Sequence, residues 1–154
     1  MPDLFTIGYE ATTLDRVLDA LLGAGVTDLV DIRAIPQSRK PGFSKTLLSA
    51  SVEARGLRYT HLRGLGTPKA GREAARRGDD AALGAIFGER MRSDPAQADL
   101  AHARVIAGGT TACLMCFERD HTHCHRSIVA RLVCEVTGQQ IQHLTAGLPG
   151  MLPA

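Results

Sequence analysis

The chain has 154 residues, 44% of them hydrophobic and 22% charged, with a formal net charge of +2. This composition supplies a hydrophobic core and excludes a disordered or low-complexity chain. No run approaches the roughly 18 apolar residues of a membrane helix and no signal peptide is visible, so one cytoplasmic domain, 1–154, without a membrane partner is expected.

Leu4 to Tyr9 reads as a short buried strand ended near Gly8. Thr12, with Asp15 three residues on, looks like a capping box. Leu14, Val17, Leu18, Leu21 and Leu22 then follow the spacing of an amphipathic helix. Thr27 to Arg33 predicts a second strand, with Val30 and Ile32 on one face and Leu29, Asp31 and Arg33 on the other. Strand, helix and strand in about thirty residues make a βαβ unit with parallel strands. A loop rich in Pro and Gly follows, then a helix over 45–55, a third strand over 57–62 and a Gly64-Leu65-Gly66 turn. Helices are predicted around 70–77, 79–92 and 95–107, with Gly108-Gly109 as a stop. Residues 111–118 predict a fourth strand and 127–137 a helix with Ile128, Val129, Leu132, Val133 and Val136 on one face. Residues 140–144 predict a fifth strand, and 148–154 a tail. The alternation gives an α/β, three-layer single domain with a mostly parallel sheet of about five strands. Ligands of such sheets bind beyond the carboxyl ends of the strands.

The charges are segregated. Residues 31–77 hold eleven Lys or Arg against three acids, and the remainder seven against thirteen. The excess points either to an anionic partner on one face or to an ordinary solvated surface.

The densest chemistry lies in Leu114 to Arg126, which holds two of the four cysteines and three of the six histidines. Clustered cysteines without a disulfide-scaffold spacing point to reduced thiols that are buried, reactive or metal-bound. Cys113 and Cys116 form C-x-x-C, but three residues along a strand places them on opposite faces, so Cys113 reads as a buried hydrophobe, as does Cys134. Cys116, His121, His123, Cys124 and His125 have the ligand types of a zinc site, with no standard spacing. Cys124 precedes a helix, where the dipole favours a thiolate. A cysteine phosphatase is excluded, because the position six residues after Cys124 is Ala130 and after Cys116 is Thr122, not Arg. Glu118 at a buried strand end needs either a partner such as Arg33 or Arg126, or a raised pKa. Asp31 and Arg33 read either as a structural ion pair or as part of the site.

Thr6-Ile7-Gly8-Tyr9-Glu10, Leu29 to Arg33 with Pro36, Ser38-Arg39 and Phe43, Leu65-Gly66, and Cys116-x-Glu118 with Cys124-His125-Arg126 together resemble the domain of unknown function 488 family. The likeness spans nearly the whole chain. The family often has a second glycine after Leu-Gly, where this chain has Thr67. The resemblance implies a compact α/β domain of prokaryotes and one site formed by Tyr9, Asp31, Arg33, Ser38, Arg39, Glu118, Cys124, His125 and Arg126; it implies no reaction.

The expectation drawn from all this is an enzyme-like domain, a hydrolase or transferase, acting on an anionic, nucleotide-type substrate. Glu118, Cys124 and Asp31 are the candidate catalytic groups. Tyr9, Glu10, Arg33, Ser38, Arg39, His125 and Arg126 are the candidate substrate contacts. A non-catalytic nucleic-acid-binding module and a Cys/His metal domain are the alternatives. Cofactor and oligomeric state are unspecified by the sequence.

Overall fold

The computed structural model describes residues 1–147; the expected 148–154 tail lies outside the described residues. Five strands, β1 (Leu4–Gly8), β2 (Asp28–Asp31), β3 (Arg58–His61), β4 (Ala112–Cys116) and β5 (Ile141–Leu144), form one sheet in the order β3-β2-β4-β1-β5. Every pairing is parallel. Among the described residues six α-helices accompany it: α1 (Leu14–Gly23), α2 (Lys45–Ala54), α3 (Lys69–Arg76), α4 (Asp80–Arg90), α5 (Asp94–Gly109) and α6 (His125–Thr137).

Strand alternation divides the core in two. Phe5, Ile7, Leu29, Cys113 and Met115 pack with Val17, Leu18 and Leu21 of α1 and Leu48 and Val52 of α2. Leu4, Val30, Ile32, Leu114 and Cys116 pack on the other face with Phe87 of α4, Leu100 and Ala103 of α5, and Val129 and Val133 of α6. Each fully buried Leu, Val or Phe contributes about 1.5–3 kcal/mol. A parallel sheet covered on both faces is what these apolar strands require.

Several boundaries differ from the sequence expectation for local reasons. Thr13, not Thr12, caps α1 by accepting from the Arg16 amide, while buried Thr12 donates to the Gly147 carbonyl. α5 runs through Gly108 and Gly109, where nothing crowds the helix, and ends at Thr110, whose hydroxyl returns to the Ile106 carbonyl. Gly64 and Leu65 sit in a short 3-10 turn, Arg63–Leu65. β2 ends at Asp31 and β4 at Cys116, so Arg33 and Glu118 stand just beyond the sheet. On α6 the buried face is Val129, Ala130 and Val133, whereas Val136 is exposed.

The strand order decides where a crevice can form. β1 and β2 flank β4 with Gly8 beside Cys116 and Asp31 beside Met115, so the three carboxyl ends are level. The helices that follow β1 and β2 cover one face and the helix that follows β4 covers the other. The chains leaving these strands therefore part to opposite sides, and a crevice opens between them.

Candidate functional site

A cavity of about 410 Å³ occupies this crevice. Its wall includes Tyr9 after β1, Arg33 after β2, Ser38 in the loop before α2, Thr67, Arg72 and Arg76 around α3, and Cys116, Glu118, Cys124 and His125 around the β4–α6 connection.

Arg33 is buried and its guanidinium forks onto the buried Asp31 carboxylate, Nε to Oδ1 at 2.9 Å and Nη2 to Oδ2 at 2.7 Å. Its Nη1 donates to the Tyr9 hydroxyl at 3.1 Å and to the Phe43 carbonyl at 2.6 Å. Tyr59 adds a donor to Asp31 at 2.5 Å, and the Tyr9 ring stacks on Phe43 at 4.3 Å. Burial works against the charge on Arg33, but the hydrogen bonds and charge of Asp31 more than offset it and hold the pKa above the usual value. This is the structural ion pair: it fixes the Tyr9 wall of the cavity and uses most of the donors of Arg33.

Arg126 is wholly buried. Its Nε donates to Thr6 Oγ1 at 3.1 Å, Nη1 to the Glu118 carbonyl and to Cys116 Sγ at 3.3 Å, and Nη2 to the Arg119 carbonyl at 3.1 Å. It clamps the β4–α6 loop from behind and does not line the cavity. Glu10 does related work, accepting from the Arg119 amide at 3.0 Å. The Glu118 side chain is half-buried at the cavity wall, with Oε2 3.7 Å from Cys116 Sγ. Burial raises its pKa, and Glu10 adds to the rise, while Arg126 and Arg76 pull it back. Such a carboxyl is suited to carrying and releasing a proton.

Cys124 is the N-cap of α6, its sulfur accepting from the Arg126 amide at 3.5 Å. It is not the free thiol expected of a nucleophile: its sulfur stands 2.09 Å from that of Cys116, as a disulfide. The eight-residue loop returns α6 to the end of β4 and so brings the two together. Cys113 and Cys134 are free, and Cys113 lies in the opposite core half from Cys116, as the strand alternation predicts. His125 is buried against Phe87, with Nε2 donating to the Ile32 carbonyl at 2.9 Å and Nδ1 3.8 Å from Cys124 Sγ. Because a carbonyl only accepts, the proton is on Nε2 and the Nδ1 lone pair faces the sulfurs.

Residues 13–133 match a family model described as "Domain of unknown function DUF488". The chain belongs to the DUF488 family. No curated protein and no solved structure matches it. The DUF488 match takes in β2 to β4 and most of α6, while β1 and β5, which complete the sheet, lie outside it.

In this DUF488 chain the residues singled out from sequence separate into groups. Tyr9, Arg33, Ser38, Glu118, Cys116, Cys124 and His125 meet at the cavity. Asp31, Glu10 and Arg126 support its walls from behind, and exposed Arg39 is not part of the lining. His121 stacks on His143 at 3.5 Å and His123 pairs with Asp80 at 2.8 Å, so neither joins the cysteines. Sequence reasoning missed Thr67, Arg72 and Arg76 as site residues. Thr67 is 3% exposed, lines the cavity and has a hydroxyl with no hydrogen-bond partner among the described residues. The one signal for it was the position itself, a threonine where the family often has glycine.

Five of the eleven basic residues in the segment have carboxylate partners among the described residues: Arg33 with Asp31, Arg58 with Asp28, Arg55 with Asp15 and Asp19, Lys69 with Glu73, and Arg77 with Asp79. Arg72 spends one donor on the Thr67 carbonyl at 3.0 Å, and Arg76 forms no ion pair or hydrogen bond among the described residues.

Burial lowers the pKa of His125 to about 4 from an ordinary value of 6.5, and neighbouring Arg126 and Arg72 add to this. His143 is also lowered to about 4, by burial and then by His121, Arg126 and Arg131. Between these values the unfolded chain binds the proton and the folded chain does not. Stability is therefore expected to fall as pH drops from about 6.5 toward 4, with His125 alone contributing roughly 1–2 kcal/mol of loss by pH 5. Urea midpoints of the chelator-treated protein at pH 7.5 and pH 5 measure this, and His143→Gln should shrink the difference. Equal midpoints at the two pH values would contradict it.

Proposed function

We propose that the DUF488 cavity binds a small phosphate-bearing anion and that the domain is an enzyme, a hydrolase or transferase, acting on it. The observation that carries this reading is one cavity at the carboxyl ends of β1, β2 and β4 that is lined by Arg72 and Arg76 together with a partly buried Glu118 of raised pKa. Arg72 and Arg76 take the anion-holding role expected from sequence for Arg33, Arg39 and Arg126, because Arg33 and Arg126 spend their donors on the protein and Arg39 lies outside the cavity. Glu118 serves as general acid or base; Cys124 can serve as nucleophile only when its sulfur is released from Cys116.

Calorimetry with inorganic pyrophosphate and a nucleoside monophosphate tests the reading. The double variant Arg72→Ala, Arg76→Ala is expected to lose about tenfold or more in affinity, since each charge-assisted hydrogen bond is worth about 1.5–3 kcal/mol. Glu118→Gln should keep binding and lose turnover. Unchanged binding by the double variant would refute the assignment. Tight oligonucleotide binding that falls steeply with salt, with none for the small anions, would favour the nucleic-acid module instead.

A further inference from the structure

Cys116 Sγ, Cys124 Sγ and His125 Nδ1 come from the end of β4 and the start of α6 and lie within 4.8 Å of one another, all three buried. Their Cα geometry is informative. The Cα atoms of Cys116 and Cys124 are 7.5 Å apart, wider than the roughly 4.4–6.8 Å that a disulfide usually spans. A wider backbone spacing suits two sulfurs that share an ion: around a tetrahedral zinc with bonds of about 2.3 Å they stand nearly 4 Å apart.

We infer that, with its thiols reduced, the pair joins His125 Nδ1 as a two-thiolate, one-imidazole site for a divalent zinc-type cation. Two further features of the surroundings fit this. His125 Nε2 donates to the Ile32 carbonyl at 2.9 Å, which fixes the tautomer with Nδ1 free and is the outer partner that metal-bound histidines ordinarily have. The Arg126 guanidinium and amide stand 3.3 Å and 3.5 Å from the two sulfurs, so both thiolates have a cationic or N–H partner. Cys116, Cys124, His125 and Glu118 all line the cavity, so three protein ligands leave a fourth position on its open side, the arrangement of catalytic rather than structural zinc.

Loading requires reduction. One phosphine, or two thiols, gives up two electrons to open the sulfur–sulfur bond. The phosphine takes the oxygen of a water to become its oxide while that water supplies two protons; the thiols join as their own disulfide and release two protons. Each sulfur takes a proton, and both protons leave as the cation binds. The site stands on the sulfur and imidazole geometry and is independent of whether the cavity takes phosphate.

The test uses the full chain without a His tag, reduced with a phosphine and titrated with Co²⁺. The expected result is one equivalent bound, with a near-ultraviolet thiolate-to-cobalt charge-transfer band and the visible bands of a tetrahedral ion, both erased by Zn²⁺. Cys116→Ser and Cys124→Ser should each weaken Co²⁺ about tenfold or more and cut the charge-transfer band, and His125→Gln should weaken binding while leaving that band. Cys134→Ser should change nothing. The wild-type titration does not depend on any variant folding. The inference is overturned if the reduced, folded wild type binds no stoichiometric Co²⁺, if its charge-transfer band is absent, if the band survives in the double variant Cys116→Ser, Cys124→Ser, or if phosphine leaves the pair oxidised.

Discussion

Arg126→Met is expected to lower the unfolding free energy by about 3–5 kcal/mol. The methionine keeps the apolar stem but none of the donors. The Glu118 and Arg119 carbonyls then lose their charged partner, and Thr6 Oγ1 keeps only His143 Nδ1. Each buried group left unpaired costs about 1–3 kcal/mol. Against a total stability of about 5–15 kcal/mol this is a large fraction, and for a chain of this size it is a fall of roughly 10 °C in Tm. Because the same guanidinium sets the path of the loop carrying Glu118 and Cys124, the variant should also lose anion binding before it unfolds. Urea denaturation followed by circular dichroism gives the first quantity and calorimetry the second. A loss below about 1 kcal/mol would mean that the clamp is not what holds the loop.

Gly8→Ala is expected to destabilise by about 3 kcal/mol or more, although it adds one methyl group. Gly8 ends β1 directly under the β4–α6 loop. A Cβ there would lie 1.8 Å from the Glu118 carbonyl oxygen and 3.0 Å from Arg126 Nη1. The first neighbour is backbone, so relief requires moving the loop and with it the carbonyl that Arg126 holds. Overpacking of this kind ordinarily costs about 1–3 kcal/mol, and more where backbone must shift. Gly84→Ala provides the matched control. That glycine is exposed inside α4 with nothing within 4 Å, so the same change should stabilise by roughly 0.5–1 kcal/mol. Opposite signs from one chemical substitution locate the effect in the close approach at Gly8. Equal effects would remove that explanation.

The sheet and its helices were legible because alternation and helical spacing are local properties. Val30 and Ile32 against Leu29, and Cys116 against Cys113, fall on the faces their positions dictate. The residues of the β4–α6 connection were legible as a chemical cluster for a similar reason: they are close in sequence. What each one does was not. Arg126 and Arg33 carry the same charge as Arg72 and Arg76, and only the three-dimensional placement of carbonyl groups and of Asp31 determines which pair turns inward to the protein. Arg72 and Arg76 reach the cavity from α3, whose composition is that of any polar helix, so no local pattern marked them; Thr67 was marked only by its place after Leu65-Gly66. The pairing of Cys124 with Cys116, rather than with His121 or His123, depends on where the chain turns back after β4, and spacing alone does not determine that turn.

Crystals of the reduced protein soaked with inorganic pyrophosphate give the most direct test of the central claim, that the cavity at the strand ends is an anion site. The account predicts density inside the cavity, in hydrogen-bonding contact with the Arg72 and Arg76 guanidinium groups. Pyrophosphate found only on outer basic residues such as Arg39 or Lys45, with the cavity holding water alone, would contradict it.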